Sequence, residues 1–214
     1  MSRYTEPQWS SSALITIDTQ CDMLDGQPFE IPGTSAVLPG MQELLQLYRE
    51  MGRPIVHIVR LYNADGSNVE LCRREQVEAG ASLVLMGSAG SQLVPQLLPR
   101  TGILLDTDLL LSGGIQSFDQ REVVIYKPRW GAFYQTPLEQ YLRKQEITTL
   151  VFCGCNFPNC PRTSIYEASE RDFRIVLAED AISGLYDRDR QEMRNIGVEL
   201  LSCAQVISAL RQSG

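Results

Sequence analysis

Short apolar runs alternate with longer amphipathic segments along most of this chain. A run that is apolar on both faces predicts a strand buried within a parallel sheet, because a half-exposed strand would alternate polar and apolar residues. Five such runs occur in the sequence: "SALITID" (12–18), "RPIVHIVRL" (53–61), "REVVIYK" (121–127), "TTLVFCG" (148–154) and "FRIVLAEDA" (173–181).

Helical segments are expected between these strands. The first, "LPGMQELLQLYREMG" (38–52), places apolar residues at helical spacing and ends at Gly52, a residue typical of helix C-termini. Further helices are expected near "TPLEQYLRK" (136–144), around 160–172, and from about Asp187 to Leu201. This alternation predicts an α/β fold: a three-layer, doubly wound sheet of about six strands, mainly parallel, with helices on both faces.

The region 62–120 is the least regular part of the chain. Its segments "YNADGSN" and "LSGGIQS" predict loops. Long loops in a compact domain tend to be functional or mobile, so we expect this region to serve the function rather than the core.

Length and composition fit a single domain spanning residues 1–214, with a polar N-terminal extension over about residues 1–11. The net charge is −7 and the pI is about 4.8, with no run of Lys or Arg, which disfavours nucleic acid and anionic membranes as partners. The start of the chain lacks the apolar core of a secretory signal, and no apolar run approaches the roughly 20 residues of a membrane span. We therefore expect a cytoplasmic protein.

Three chemically active residue types follow predicted strands, at the sheet edge where open parallel sheets bind ligands. The first strand ends at Asp18, the third at Lys127, and the fourth leads into "CGCNFPNCPRTS" (153–164). Each alone has a structural explanation: a turn cap, a solvated charge, and a small buried hydrophobe. Their convergence at one edge favours a catalytic site.

The cysteine-rich stretch allows a disulfide, a metal site or a catalytic thiol. A reducing cytosol disfavours the disulfide. The cysteine spacings differ from the paired CxxC of structural zinc sites, and the single histidine, His57, lies within an apolar strand, where a core role suits it. We therefore expect no metal and no cofactor.

Cys160 is the favoured nucleophile because a helix is expected to begin beside it, with Pro161 at the first helical position. A helix N-terminus lowers a thiol pKa from about 8.5 into the range of roughly 3.5–7.5, and a Lys127 ammonium would act in the same direction. A nearby Asp18 carboxylate could accept the thiol proton as general base.

Three motifs, in order along the chain, resemble those of the isochorismatase-like cysteine hydrolases, which include isochorismatases, nicotinamidases and N-carbamoylsarcosine amidohydrolases. The first is "DTQCDM" after the first strand, and the second is "KPRWGAF" after the third. The third comprises Gly154, Cys160 and Ala168 and is followed by "EDA" at 179–181. The resemblance spans roughly residues 12–207.

This resemblance implies a parallel sheet with flanking helices and a catalytic triad of Asp18, Lys127 and Cys160. It also implies a non-proline cis peptide, by position between Cys155 and Asn156. That bond would turn the backbone N–H groups of Asn156 and Cys160 toward one point as an oxyanion hole. A homo-oligomer, either a dimer or a tetramer, is a further implication.

The family pattern and the sequence also differ. Phe157 and Pro161 stand where the family commonly has Thr and Val, which predicts a distinct pocket lining, and the histidines of the nicotinamidase metal site are missing. Side chains expected to contact a small-molecule substrate are Gln20, Trp130, Phe133 and Tyr134, with Arg60 and Arg162 as candidates for an anionic one. The aromatic residues fit a core role almost as well.

We expect a hydrolase that cleaves a small amide or related C–N substrate through a thioester on Cys160. One alternative is an isochorismatase-type vinyl-ether hydrolase without covalent catalysis. Another, from a different class, is a non-catalytic binding protein that has kept the fold.

Overall fold

A computed structural model describes residues 2–213 and contains one seven-stranded sheet. Its strands are β1 (Ser12–Ile17), β2 (Ile55–Val59), β3 (Ile115–Asp119), β4 (Glu122–Tyr126), β5 (Thr149–Gly154), β6 (Arg174–Ile182) and β7 (Glu199–Leu201). Their order across the sheet is β3-β4-β2-β1-β5-β6-β7, and every neighbouring pair is parallel except β3 with β4.

Seven α-helices accompany the sheet within residues 2–213. They are α1 (Thr34–Glu50), α2 (Leu71–Glu78), α3 (Thr107–Leu111), α4 (Leu138–Lys144), α5 (Cys160–Ser169), α6 (Asp187–Asn195) and α7 (Cys203–Gln212). Across this described part of the chain, none of the helices is both long and apolar enough to cross a lipid bilayer.

The central strands β1 and β5 are buried along their whole lengths, which explains their uninterrupted apolar sequences. Ile15 and Phe152 belong to one apolar cluster, which α4, α5 and α6 cover. Leu14 and Val151 point to the opposite face, where α1 and α7 complete a second cluster. Successive strand residues point to opposite faces of the sheet, and helices cover both faces. The residues on both faces must therefore be apolar. The predicted three-layer α/β architecture is confirmed.

Two strands differ from the prediction. At the sheet edge, β3 lies where a loop was expected; it is only partly buried and antiparallel, so it has no continuous apolar run. The strand β7 occupies the end of the helix predicted up to Leu201. That helix ends at Asn195 because Gly197 adopts a left-handed φ of 83°. The sheet therefore has seven strands rather than about six.

The ends of β5 and β1 approach each other unusually closely. Gly154 has a φ of 119°, and a Cβ atom there would overlap the Ile17 carbonyl oxygen and lie 2.7 Å from the Ile17 nitrogen. The next amide, that of Cys155, donates a hydrogen bond of 3.0 Å to the Ile17 oxygen. Glycine at this position lets the loop after β5 lie beside the residue that follows β1.

We predict that Gly154→Ala lowers the free energy of unfolding by at least about 3 kcal/mol, because backbone strain and steric overlap both act there. Urea unfolding measures the change. Gly80→Ala is the matched control: Gly80 also has a positive φ, 101°, but a Cβ atom there meets nothing within 4 Å. The control should lose about 1–2 kcal/mol. Equal losses in the two variants would contradict the close approach of the strands.

A buried polar network surrounds the single histidine, His57 on β2. Its Nδ1 lies 2.8 Å from Thr16 Oγ1 on β1, and its Nε2 lies 2.9 Å from Glu122 Oε1 on β4. Arg49 of α1 donates two hydrogen bonds to the Glu122 carboxylate, at 2.7 and 2.8 Å. Burial raises the pKa of Glu122, but the hydrogen bonds from Arg49 and His57 outweigh it and lower that pKa to about 2. The network joins one helix to three strands.

The low pKa of Glu122 predicts a specific loss of stability in acid. A carboxylate with a depressed pKa stabilises the fold above its unfolded value of 4.5, and this contribution disappears as the pH falls toward 2. Glu122→Gln should therefore cost about 3 kcal/mol at pH 7 and flatten the decline between pH 5 and 2. Urea unfolding as a function of pH tests this, with Glu78→Gln on the exposed surface of α2 as control. An unchanged acid slope in Glu122→Gln would show that the network is not ionised.

Candidate active site

The structure brings Asp18, Lys127 and Cys160 together at the carboxyl edge of the sheet. Asp18 follows β1 and Lys127 follows β4, and their backbone amides donate hydrogen bonds to Ile58 and Val59 of the intervening strand β2, at 2.9 and 3.0 Å. The Lys127 ammonium lies 2.8 Å from Asp18 Oδ2. Cys160 begins α5, one residue before the position expected for the start of that helix.

All three side chains are almost fully buried. The exposed fractions are 4% for Asp18, 0% for Lys127 and 5% for Cys160. Asp18 also has a left-handed φ of 48°, which is uncommon for a residue other than glycine and is often found at functional sites. Its second carboxylate oxygen, Oδ1, is buried and accepts no hydrogen bond of regular geometry within residues 2–213, although the Cys160 thiol is close enough to the carboxylate to help lower the pKa of Asp18. A buried acceptor without a donor is costly in a purely structural site.

The electrostatics of the site place the proton on the thiol. Burial alone would raise the pKa of Asp18, but the positive charges of Lys127 and Arg60 hold that pKa below its usual value. Burial and the Asp18 charge raise the pKa of Cys160, and Lys127 and Arg60 only partly offset them. The expectation of a lowered thiol pKa is therefore wrong, because desolvation and the Asp18 charge outweigh the positive charges of Lys127 and Arg60. The resting state pairs a neutral thiol with a carboxylate.

Arg60 is a second cation at the thiol. It directly follows β2, is only 2% exposed, and places Nη2 3.5 Å from Cys160 Sγ. The same Nη2 donates a hydrogen bond of 2.8 Å to the Arg129 carbonyl, which also accepts one of 3.3 Å from the Lys127 ammonium. One backbone carbonyl thus holds both cations beside the sulfur atom.

A polar chain leads from Arg60 to the surface. Its Nη1 forms an ion pair with Glu70, which accepts a hydrogen bond from the Tyr62 hydroxyl. Arg73 donates a hydrogen bond of 3.3 Å to the same hydroxyl and lies 5.9 Å from the ring centroid of Trp130. Apart from Arg60 and Trp130, these residues could not be recognised from the sequence as parts of the site, because they lie in the irregular region 62–120.

The loop between β5 and α5 differs from the expectation in one respect. Every peptide bond within residues 2–213 is trans, so the cis bond expected between Cys155 and Asn156 is wrong. A non-proline cis bond costs about 3–4 kcal/mol. The chain here turns at Asn159 instead, with φ −110° and ψ −105°.

The loop is fixed from both sides. The Cys155 thiol donates to the Asp18 carbonyl at 3.0 Å, and the Phe157 amide donates to the Ser183 carbonyl at 2.8 Å. Within the described chain, the amides of Asn156 and Cys160 donate no hydrogen bond to the protein. Two amide donors of this loop thus have unused hydrogen-bonding capacity.

The predicted substrate-contacting residues occupy different environments. Gln20 is fully buried, and its amide bonds only backbone groups, those of Arg60 and Ser91, at 2.6–2.9 Å. Phe133 lies in the core beside Phe173, with ring centroids 5.8 Å apart. Gln20 thus connects two backbone segments through hydrogen bonds, and Phe133 packs in the core.

The remaining candidates differ among themselves. Tyr134 is 48% exposed, and Trp130 is half-buried. Arg162 forms ion pairs with Asp189 and Glu192 instead of reaching the thiol. Trp130, through Arg73, is the candidate that adjoins the polar chain beside Cys160.

The raised thiol pKa predicts how Cys160 reacts. Its alkylation by iodoacetamide should follow ionisation with a midpoint at higher pH than that of a free cysteine thiol. Asp18→Asn should move the midpoint to lower pH, because the carboxylate charge holds the proton on the sulfur atom. Rates at Cys160 are measured by peptide mapping across pH. Asp187→Asn, at a fully exposed position, should leave the midpoint in place. A shift to higher pH in Asp18→Asn would contradict this electrostatic arrangement.

Comparison with known proteins identifies relatives that match most of the chain. A "probable inactive nicotinamidase" of Arabidopsis thaliana is 26% identical over 199 residues, covering 90% of this chain and 92% of the relative. A ureidoacrylate amidohydrolase of Methylobacterium radiotolerans is 27% identical over 190 residues, covering 79% of this chain and 66% of the relative.

A solved structure and a family model give the same relationship as these two relatives. The crystal structure of an isochorismatase family protein from Desulfovibrio vulgaris superposes with a TM-score of 0.79 at 28% identity, covering 94% of this chain and 98% of the other. Residues 113–209 match the family model of the isochorismatase domain. The chain therefore resembles the isochorismatase-like hydrolases, with the family model matching its C-terminal part.

Proposed function

We propose that this protein hydrolyses a small amide or a related C–N substrate, with Cys160 as nucleophile and Asp18 as general base. The observation that carries the proposal is the Asp18 carboxylate: one oxygen pairs with Lys127, and the other is buried without a partner within the described chain. That second oxygen has a free acceptor position and lies in a site whose thiol retains its proton. A purely structural ion pair has no need of a neighbouring thiol.

The first step consumes the substrate amide. Asp18 takes the thiol proton, and the sulfur atom forms a bond to the carbonyl carbon, giving a tetrahedral intermediate with a negatively charged oxygen. The amides of Asn156 and Cys160, which have no acceptor in the described chain, are the proposed donors to that oxygen. Removing one such donor typically costs 10²–10³-fold in rate in other enzymes. Asp18 returns the proton to the nitrogen, the C–N bond breaks, and the amine leaves.

The second step restores the enzyme. A water molecule gives one proton to Asp18 while its oxygen attacks the thioester carbonyl. The C–S bond then breaks, and the sulfur atom regains the proton from Asp18 as the acid product departs. Lys127 and Arg60 act throughout as fixed positive charges beside whichever group is the anion, the carboxylate or the sulfur.

Amide hydrolysis is favoured over two alternatives. In an isochorismatase-type vinyl-ether hydrolysis the thiol need not form a bond. A Cys160 thiol that has a raised pKa and keeps its proton would then have no role in the reaction. In a non-catalytic binding protein, the unpartnered Asp18 oxygen would lower the stability of the fold and serve no function. The amidohydrolase name of one relative agrees with this choice, whereas the "probable inactive" name of another is the reason to test turnover directly.

Two further parts of the proposal concern the protein in the cell. A cytoplasmic location agrees with six cysteines that are all free thiols. A dimer or tetramer stays a prediction from the family resemblance. The absence of a metal and a cofactor stays a prediction from the cysteine spacing and the single histidine.

The two enzymatic mechanisms predict different effects of substitution. If Cys160 forms the covalent bond, Cys160→Ala and Asp18→Asn should each lower kcat by at least about 10³-fold, because residues that act as a unit do not contribute additively. The substrates to screen are small amides, ureides and isochorismate. Cys203→Ala, at a buried cysteine in α7, is the matched control and should retain activity.

Mass spectrometry of enzyme quenched during turnover should show the acyl group on Cys160. Near wild-type turnover by Cys160→Ala, together with loss in Asp18→Asn, would instead establish the vinyl-ether mechanism. An absence of turnover on every substrate class would favour the binding protein.

A further inference from the structure

The segment that begins α2 shows an inverted burial pattern. Glu70, the N-cap residue of the helix, is only 5% exposed, whereas the neighbouring Leu71 is 82% exposed. A helix that served only to cover the core would bury the leucine and expose the glutamate. Burying a carboxylate is costly unless it is paired, so the position of Glu70 indicates a specific demand for a carboxylate at this point.

That demand comes from Arg60. Its guanidinium contacts Cys160 through Nη2 and the Glu70 carboxylate through Nη1. A carboxylate therefore lies one guanidinium away from the sulfur atom. A guanidinium presents its donors as a planar fork that matches a carboxylate, so the donors that face Glu70 could instead face the carboxylate of a small substrate attached to the sulfur.

The charge balance around the thiol also favours an anion. Asp18 with Lys127, and Arg60 with Glu70, form two neutral pairs. Arg73 adds a positive charge and has no carboxylate within ion-pair distance in residues 2–213. A chain with a net charge of −7 thus has a net positive environment at its buried thiol.

We propose that Arg60 selects substrates that carry a carboxylate close to the scissile bond, and that Glu70 occupies the carboxylate position while no substrate is bound. This inference rests on the proposed function for its reaction, but the recognition itself requires only Arg60 and the thiol.

The catalytic residues are closed off from solvent. Cys160 and Asp18 are at most 5% exposed, so a substrate can reach the sulfur atom only if a neighbouring group moves. Glu70 directly precedes α2, a helix with no fully buried residue, whose other contacts to the body of the protein include the hydrogen bond from Arg73 to Tyr62 and the packing of Val77. A substrate carboxylate that replaces Glu70 on Arg60 preserves the ion pair and opens the site at low cost. An uncharged amide that displaced Glu70 would leave the Nη1 side of Arg60 without a carboxylate.

The test uses two alkylating reagents of nearly the same size. Iodoacetate carries a carboxylate beside its reactive carbon, and iodoacetamide has a neutral amide in its place. The ratio of their second-order rate constants at Cys160, determined by peptide mapping and divided by the same ratio for glutathione, measures anion recognition. Because both reagents require the same thiolate, changes in thiol pKa cancel in the ratio.

We expect the normalised ratio to exceed 1 in the native protein and to rise about tenfold in Glu70→Gln, which frees Arg60 while keeping the size of the side chain. Arg60→Gln should lower it about tenfold below the native value. Arg60→Lys keeps the positive charge but loses the planar fork of donors, so its ratio should lie between those of the native protein and Arg60→Gln. Ratios that agree within twofold in Glu70→Gln and Arg60→Gln would overturn the proposal.

Matched controls separate contact from long-range charge. Arg73→Gln removes a nearby charge that does not contact the sulfur atom, and Glu75→Gln changes an exposed carboxylate on the same helix. Glu75→Gln should alter the ratio by less than twofold, and Arg73→Gln should lower it clearly less than Arg60→Gln does. Equal effects of Arg73→Gln and Arg60→Gln would show a general field instead of recognition by Arg60.

Alkylation needs no hydrolysis, so this result is independent of turnover. If amides are hydrolysed through Cys160 but the ratio does not depend on Arg60, only the specificity inference fails. If the ratio behaves as expected and no amide is hydrolysed, only the proposed reaction fails.

Discussion

The buried ion pair between Asp18 and Lys127 is the constraint on which the rest of the site depends. Each charge loses several kcal/mol of hydration on burial, and an attraction over 2.8 Å repays this only when geometry and further hydrogen bonds are good. The parallel sheet supplies that geometry. The strand β2 lies between β1 and β4 and fixes the backbone of both residues through Ile58 and Val59, so the pair meets without flexible loops.

The same constraint explains what the sequence could predict. Asp18 and Lys127 directly follow buried strands, and Cys160 lies six residues after Gly154, so an apolar-run pattern places them at one edge. The central strands were predictable for the same reason, because burial on both faces leaves an uninterrupted apolar run. The edge strands β3 and β7 were not, since they are short and only partly buried.

The electrostatics could not be predicted from the sequence. A helix N-terminus and a lysine both suggested an acidic thiol, yet desolvation is the largest influence on Cys160, and it depends on packing that no local pattern reveals. Nor could Glu70 and Arg73 be recognised, because an irregular region gives no periodicity to interpret. The exposed Leu71 beside the buried Glu70 is a pattern that becomes informative only once the structure is known.

A raised thiol pKa and a nucleophilic role for Cys160 are compatible because of how charge is arranged. Transfer of the proton from Cys160 to Asp18 converts a thiol and a carboxylate into a thiolate and a carboxylic acid, so the net charge of the pair does not change. Lys127 and Arg60 attract the negative charge in either location, since one pairs with the carboxylate and the other contacts the sulfur atom. The surrounding dipoles therefore need little reorganisation when the proton moves, and that preorganisation is what a closed site with two fixed cations can supply.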